Sequence, residues 1–165
     1  MGRGDDTPLN LGVVQNGNGL RTLTTQEFHR LQPWECQITV LGETLGYPPK
    51  AVSFYVNHWV NLQKDQDQER VNYATHHVGL KYCGINCSSS IVDFTDNIKW
   101  FWDTYEQPIA IWVVVDMLKY DMGADFRIPY RDGQELYNVE KTVKSILLQN
   151  EMVIRKDIVV ASINI

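Results

Sequence analysis

The stretch Pro108-Ile109-Ala110-Ile111-Trp112-Val113-Val114-Val115-Asp116 decides how the chain is read. Its run of β-branched and aromatic side chains is too short for a membrane-spanning helix and has the length of a strand. Ile109, Ile111, Val113 and Val115 then point to one face, and Ala110, Trp112 and Val114 to the other. Both sets are apolar, so the strand is expected to lie centrally with protein against both faces. The remaining elements are read as packing around it.

Toward the N-terminus, Ile91, Phe94, Ile98, Phe101 or Trp102, and Tyr105 recur at helical spacing, and Ser90 and Asp93 are placed to cap that helix. Gly84 to Ser90 reads as a loop. Before it, Thr75 to Cys83 alternates, with His76, Val78, Leu80 and Tyr82 on one side and His77 and Lys81 on the other, as a strand does. Pro48 and Pro49 pre-set a helix whose Val52, Tyr55, Val56, Trp59 and Leu62 form one stripe. The polar run Lys64 to Asn72 extends it or forms a solvated loop. Trp34, Cys36, Ile38 and Val40 alternate with Glu35, Gln37 and Thr39, which predicts a strand from Trp34 to Leu41. Thr24 with Glu27 has capping-box spacing and predicts a short helix near Thr25 to Leu31, stopped by Pro33.

Toward the C-terminus, the region holding Gly123, Pro129 and Gly133 reads as a polar, irregular loop. Asp132 caps a helix bearing Leu136, Val139, Val143, Ile146 and Leu147, which is expected to close near Asn150. Met152 to Ile165, rich in Val and Ile, reads as one or two strands. The fold class expected is α+β: a mainly antiparallel sheet packed with about three amphipathic helices. Residues 21 to 165 form a single domain on this reading, and residues 1 to 20 a flexible N-terminal arm. That arm holds five of the eleven glycines, a composition that resists regular structure. It also carries an apolar island, Leu9, Leu11, Val13 and Val14, which a solvated linker has no reason to contain. The island is the candidate self-association segment, docking on its own domain or on a neighbouring subunit.

A net charge of −5 argues against holding nucleic acid or anionic lipid through overall charge. Three cysteines cannot all pair within one chain, and no signal-peptide pattern is read, so a reducing intracellular setting is expected. The Arg3-Gly4-Asp5 and Asn86-Cys87-Ser88 triplets read as coincidence in that setting. Cys83, Cys87, His76 and His77 are the alternative metal set, since thiolate and imidazole suit zinc. Neighbouring histidines point to opposite faces of a strand, and Cys-x3-Cys is less specific than paired Cys-x2-Cys knuckles, so no metal is expected. Asp116, Asp121 and Asp125 read as turn and surface carboxylates. With no phosphate-cradling glycine loop and no Gly-x-Ser-x-Gly elbow, no cofactor and no catalysis are expected.

The aromatic residues carry a different signal. Trp100, Phe101 and Trp102 are consecutive and cannot all face one core from one helix, so at least one large ring should reach the surface. Trp100, Trp102 and Tyr105 are therefore the candidate aromatic interface, since exposed tryptophan anchors protein contacts.

The arm, the strand from Trp34 to Leu41, the helix bearing Asn57-His58-Trp59, the strand after it and the strand from Ile109 to Val115 together resemble the matrix proteins of rhabdoviruses, with a size closest to plant-infecting members. The resemblance implies a non-enzymatic structural protein of the virion and host cell cytoplasm. Such a protein self-associates through an N-terminal segment, condenses or coats a nucleocapsid with the viral nucleoprotein as partner, and links it to an envelope. Members from animal viruses carry a lysine-rich N-terminus and a proline-tyrosine budding motif. Here the arm has only Arg3 and Arg21, and Gly46-Tyr47-Pro48-Pro49 runs in the other order. Self-association is thus the implied property, rather than direct membrane or nucleic-acid contact. The alternatives from other classes are an adaptor or host-factor inhibitor that binds a protein through the aromatic surface, and a small zinc or thiol enzyme.

Overall fold

The computed structural model describes the backbone of residues 13–16, 19–22 and 33–163, and side chains within 34–156. It shows an α+β fold with five α-helices and a four-stranded antiparallel sheet among the described residues. In chain order the elements are β1 (Val13–Asn16), β2 (Gly19–Thr22), α1 (Pro33–Thr44), α2 (Pro49–Lys64), α3 (Gln66–His76), β3 (His77–Tyr82), β4 (Ile85–Ser90), α4 (Phe94–Tyr105), β5 (Ile111–Met117), β6 (Met122–Ile128) and α5 (Gly133–Ile163). The sheet order is β4-β3-β5-β6, and β1 pairs with β2 in a separate hairpin.

The core forms on one face of the sheet. Val78, Leu80 and Tyr82 of β3, Ile111, Val113 and Val115 of β5, and Ile128 of β6 are buried against α4 and α5. Phe94, Ile98, Phe101 and Trp102 of α4 and Leu136, Val139, Val143 and Leu147 of α5 supply the opposing surface. Each such side chain contributes roughly 1.5–3 kcal/mol when fully removed from water. Polar groups drawn inside are matched: Asn97 donates to Ser89 Oγ at 2.8 Å, and Ser89 in turn donates to the Ser90 carbonyl at 2.9 Å. The exception among described side chains is Trp102 Nε1, which is buried without a hydrogen-bond partner.

The capping prediction for α5 holds, with Glu135 N–H donating to Asp132 Oδ1 at 2.9 Å. The helix does not close at Asn150, however, and Met152 to Ile163 continue it rather than forming strands. No glycine or proline follows Gly133 before Ile163, so nothing interrupts the hydrogen-bond ladder and helical continuation overrides the β propensity of Val and Ile. Asn150 acts as a peg. Its Oδ1 accepts from Leu118 N–H at 2.9 Å, and its Nδ2 donates to the Asp116 carbonyl at 2.7 Å, tying α5 to the end of β5.

Four other expectations are corrected. Trp34 to Leu41 is part of α1, not a strand; Trp34, Ile38, Leu41 and Leu45 also fit helical spacing, and seven residues are too few to separate the two periods. Ile85 to Ser90 is strand β4, joined to β3 by Cys83 and Gly84, both at positive φ (51° and 80°), as a two-residue hairpin requires. Met122 to Ile128 is strand β6; Ala124, Phe126 and Ile128 alternate with exposed Gly123, Asp125 and Arg127, so its period is that of an edge strand. Part of the presumed irregular arm is the β1–β2 hairpin, with Val13 opposite Thr22 and Val14 opposite Arg21. The predicted helix near Thr25 to Leu31 lies outside the described residues. The polar run after Lys64 is helix α3, started by Asp65, whose carboxylate accepts from Gln68 N–H at 3.0 Å.

Helices α1 to α3 lie around the β4 edge and over part of the sheet's outer face. Lys50 at the start of α2 pairs with Asp96 and Asp93 at the start of α4, at 2.6 and 3.3 Å. Tyr105 of α4 donates to the Gly46 carbonyl at 2.8 Å, and Gly46, at φ 78°, has no room for a Cβ beside that hydroxyl. This fixes the α1–α2 corner over the edge that would otherwise present free strand groups. Contrary to expectation, the second face of β5 is only partly covered, and Trp112 is 49% exposed.

Candidate functional site: the groove between α1, α2 and the outer sheet face

Because α1 and α2 cover only the β4–β3 side, a groove of about 610 Å3 opens between them and the sheet. Ile38 and Leu41 of α1, with Leu45 in the turn just after it, form one wall, Val52 and Tyr55 of α2 the other, and Gly79 and Val114 part of the floor. Gly42 sets the width of the helix pair, since a Cβ there would come within 2.7 Å of Val52 Cγ2. Gly79 keeps the floor low where Val114 faces it across the β3–β5 ladder. Leu41 and Leu45 are more than half exposed, an apolar lining left open to water. Strand β1 runs alongside α1.

At one end of the groove the lining turns polar. Ser88 Oγ lies 3.1 Å from Tyr73 Oη and 3.2 Å from His77 Nε2. The His77 ring stacks on Tyr73 at 4.3 Å, and Tyr73 meets His58 at 4.0 Å on its other side. His58 Nδ1 is 2.9 Å from the carboxylate of Glu69, both groups largely buried. Burial lowers the pKa of His77 and raises that of Tyr73, so both are neutral near pH 7. Ser88 and His77 are thus in contact, but among the described residues no carboxylate hydrogen-bonds the other ring nitrogen of His77. Glu69 serves His58 instead. The arrangement locks α2, α3 and the β3–β4 hairpin together, and it lacks the oriented base that a serine nucleophile requires.

The predicted site residues are scattered. Leu9 and Leu11 lie outside the described residues, while Val13 and Val14 sit on β1 beside α1. Trp102 is 5% exposed and edge-on to Tyr130, so it belongs to the core and offers no surface. Trp100 is half-buried against Phe101 and Tyr105, and the Tyr105 hydroxyl is committed to Gly46. Among the described residues the tryptophans that do reach solvent are Trp112 on β5 and Trp59 on α2, neither of them on α4. His76 is exposed at the end of α3, and its Nδ1 is 2.9 Å from the Asn72 carbonyl. His77 faces Ser88, Cys83 sits in the hairpin turn, and burial pushes the pKa of Cys87 up to about 12, which keeps it protonated near neutral pH. Among the described residues no group of three or more His, Cys, Asp or Glu side chains could hold a metal ion. No described helix is long and apolar enough to cross a membrane.

Sequence reasoning missed Ser88 and the groove walls on α1. Ser88 sits in the stretch whose sequence reads as a loop, and Ile38, Leu41 and Leu45 in one that reads as a strand and its turn. The signal for α1 was present in the spacing Trp34, Ile38, Leu41, Leu45. Comparison with protein families, curated proteins and solved structures returns no match to this chain.

Proposed function

We propose that the chain is a non-enzymatic structural protein that self-associates, the Leu9–Val14 segment of one copy filling the α1–α2 groove of the next. In this reading it acts as a viral matrix-like protein of the virion and host cell cytoplasm, coating a nucleocapsid through the nucleoprotein and linking it to an envelope. The observation that carries the reading is the open apolar groove whose α1 wall runs beside β1, the strand that directly follows Leu9 and Leu11. Leu9, Leu11 and Val13 alternate, so an extended chain presents all three to one side. Exchange of such a segment between copies is a heterologous contact that propagates into open arrays unless the rotation closes.

The test is light scattering after size exclusion, across concentration, for the full chain, the Leu9→Asp/Leu11→Asp variant and the groove variant Leu41→Asp. Concentration-dependent growth by the full chain alone is the expected result. A strict monomer at every concentration, or growth untouched by the arm variant, would overturn the reading.

A further inference from the structure

The register of the sheet builds a second site on the outer face, adjoining the groove, whose lining shares Lys81 and Asn86 with it. Lys81 stands opposite Asn86 on one side and Trp112 on the other, and Trp112 stands opposite Arg127. The four strands therefore present Asn86, Lys81, Trp112 and Arg127 as one row, and all four side chains are exposed. With strands about 4.8 Å apart, the two cations bracket the indole at one strand's spacing on each side. The row borders a hollow of about 430 Å3, which Ile109 and Ala110 help to line. Neither Lys81 nor Arg127 forms an ion pair among the described residues. Asp125 and Asp116 lie on the same face further along, opposite Val114 and Gly123, and confine the positive surface to the end near the Cys83-Gly84 turn.

We propose that this row binds single-stranded nucleic acid, a base stacking on Trp112 with the flanking phosphates on Lys81 and Arg127. Aromatic faces between cations hold single strands in this way, and the sequence tolerance follows because every base has a π-face. The Asn86 amide supplies donors and an acceptor for a base edge or a sugar. An acidic peptide would satisfy the two cations but meets the indole only where it carries an apolar or aromatic side chain between its carboxylates, whereas every nucleotide brings a π-face beside its phosphate. A net charge of −5 speaks against binding through the whole surface, so the site is local and weak in one copy. Copies held in an array would multiply it through effective concentration.

The experiment is fluorescence anisotropy of a labelled oligouridylate of about ten nucleotides, titrated with the full chain between about 50 and 200 mM salt. Two neutralised phosphates predict a slope of log K against log salt of about −1.4. Trp112→Ala is expected to weaken binding roughly 5- to 160-fold, the usual value of one stacked base. Trp112→Phe, which keeps an aromatic face and guards against a folding defect, should retain most of it. Arg127→Glu should reduce binding further and flatten the slope, with the melting transition unchanged. No binding at the lowest salt, equal affinity for Trp112→Ala, or displacement by polyglutamate at matched charge would overturn the proposal, the last by assigning an acidic protein surface. Repeating the titration with Leu9→Asp/Leu11→Asp separates this site from assembly: Trp112 dependence that persists there supports the site even if arm exchange fails.

Discussion

Strand β5 has two histories written on alternate residues. Its inward side chains, Ile111, Val113 and Val115, are sealed beneath α4 and α5, whereas its outward ones, Trp112, Val114 and Asp116, meet water, the groove or a hollow bordered by α2 and α3. The strand order and hydrogen bonding are common to both sides, so the difference comes from what is laid on each. Two helices, α4 and α5, cover the inner side of β5 completely, while α1 to α3 border its outer side only beside Val114 and Asp116 and leave Trp112 open. The lesson is a division of labour: one face holds the fold, and the other is left with apolar and cationic surface that the fold does not need for itself.

That contrast is most exposed to test at Phe101, fully buried on the inner side. Phe101→Ala should cost about 3–5 kcal/mol in denaturant unfolding, the range for emptying an aromatic core position. A loss below about 1 kcal/mol would mean that the inner face is not the main source of stability. A smaller effect is expected at Asn150, the peg between α5 and β5. Asn150→Ala leaves Leu118 N–H and the Asp116 carbonyl without their partner and should cost about 1–3 kcal/mol, with faster hydrogen exchange at the Leu118 amide. Unchanged exchange there would show that α5 is held by its apolar face alone.

The smallest effect belongs to the outer face and depends on pH. Burial holds the pKa of His77 below its ordinary value near 6.5, with Asp116 partly opposing and His58 adding to the depression. The unfolded chain therefore binds a proton there before the folded one does. Stability is fully present above about pH 6.5 and falls as pH drops through that value toward the folded pKa. His77→Phe keeps a ring against Tyr73 and removes this titration, so its stability should fall less between pH 7 and pH 5 than that of the unaltered chain. Identical slopes, followed by thermal melting across that range, would place the pH response elsewhere.

Legibility in the sequence followed burial. Helix α4, the first half of α5 and strands β3 and β5 each lay one face on a dense layer, and their apolar residues repeat at the matching period; helix α2 buries Ala51, Val52 and Val56 apart from that layer. Elements at the margins were misread. Strands β4 and β6 are edges with serine, glycine and charged residues, and α1 turns its leucines to a groove rather than a core. With little area to bury, such segments are under weak selection for a clean period, and short windows fit helix and strand alike. The aromatic surface was misplaced for a related reason. Helical geometry required that consecutive rings diverge, and they do, but Phe101 and Trp102 both found cover because Tyr130 and the sheet close around them.

The α+β class, the interior position of β5 and the inward residues of β3 are legible from the residues alone, because local periodicity records one-sided burial directly. That Lys81, Trp112 and Arg127 stand side by side, that β6 is a strand at all, and that α1 opposes α2 across a groove come from the folded arrangement. Those placements depend on strand register and on long-range packing between segments whose separate sequences carry no trace of each other, and a slip of one residue in any ladder would have turned the row to the other face.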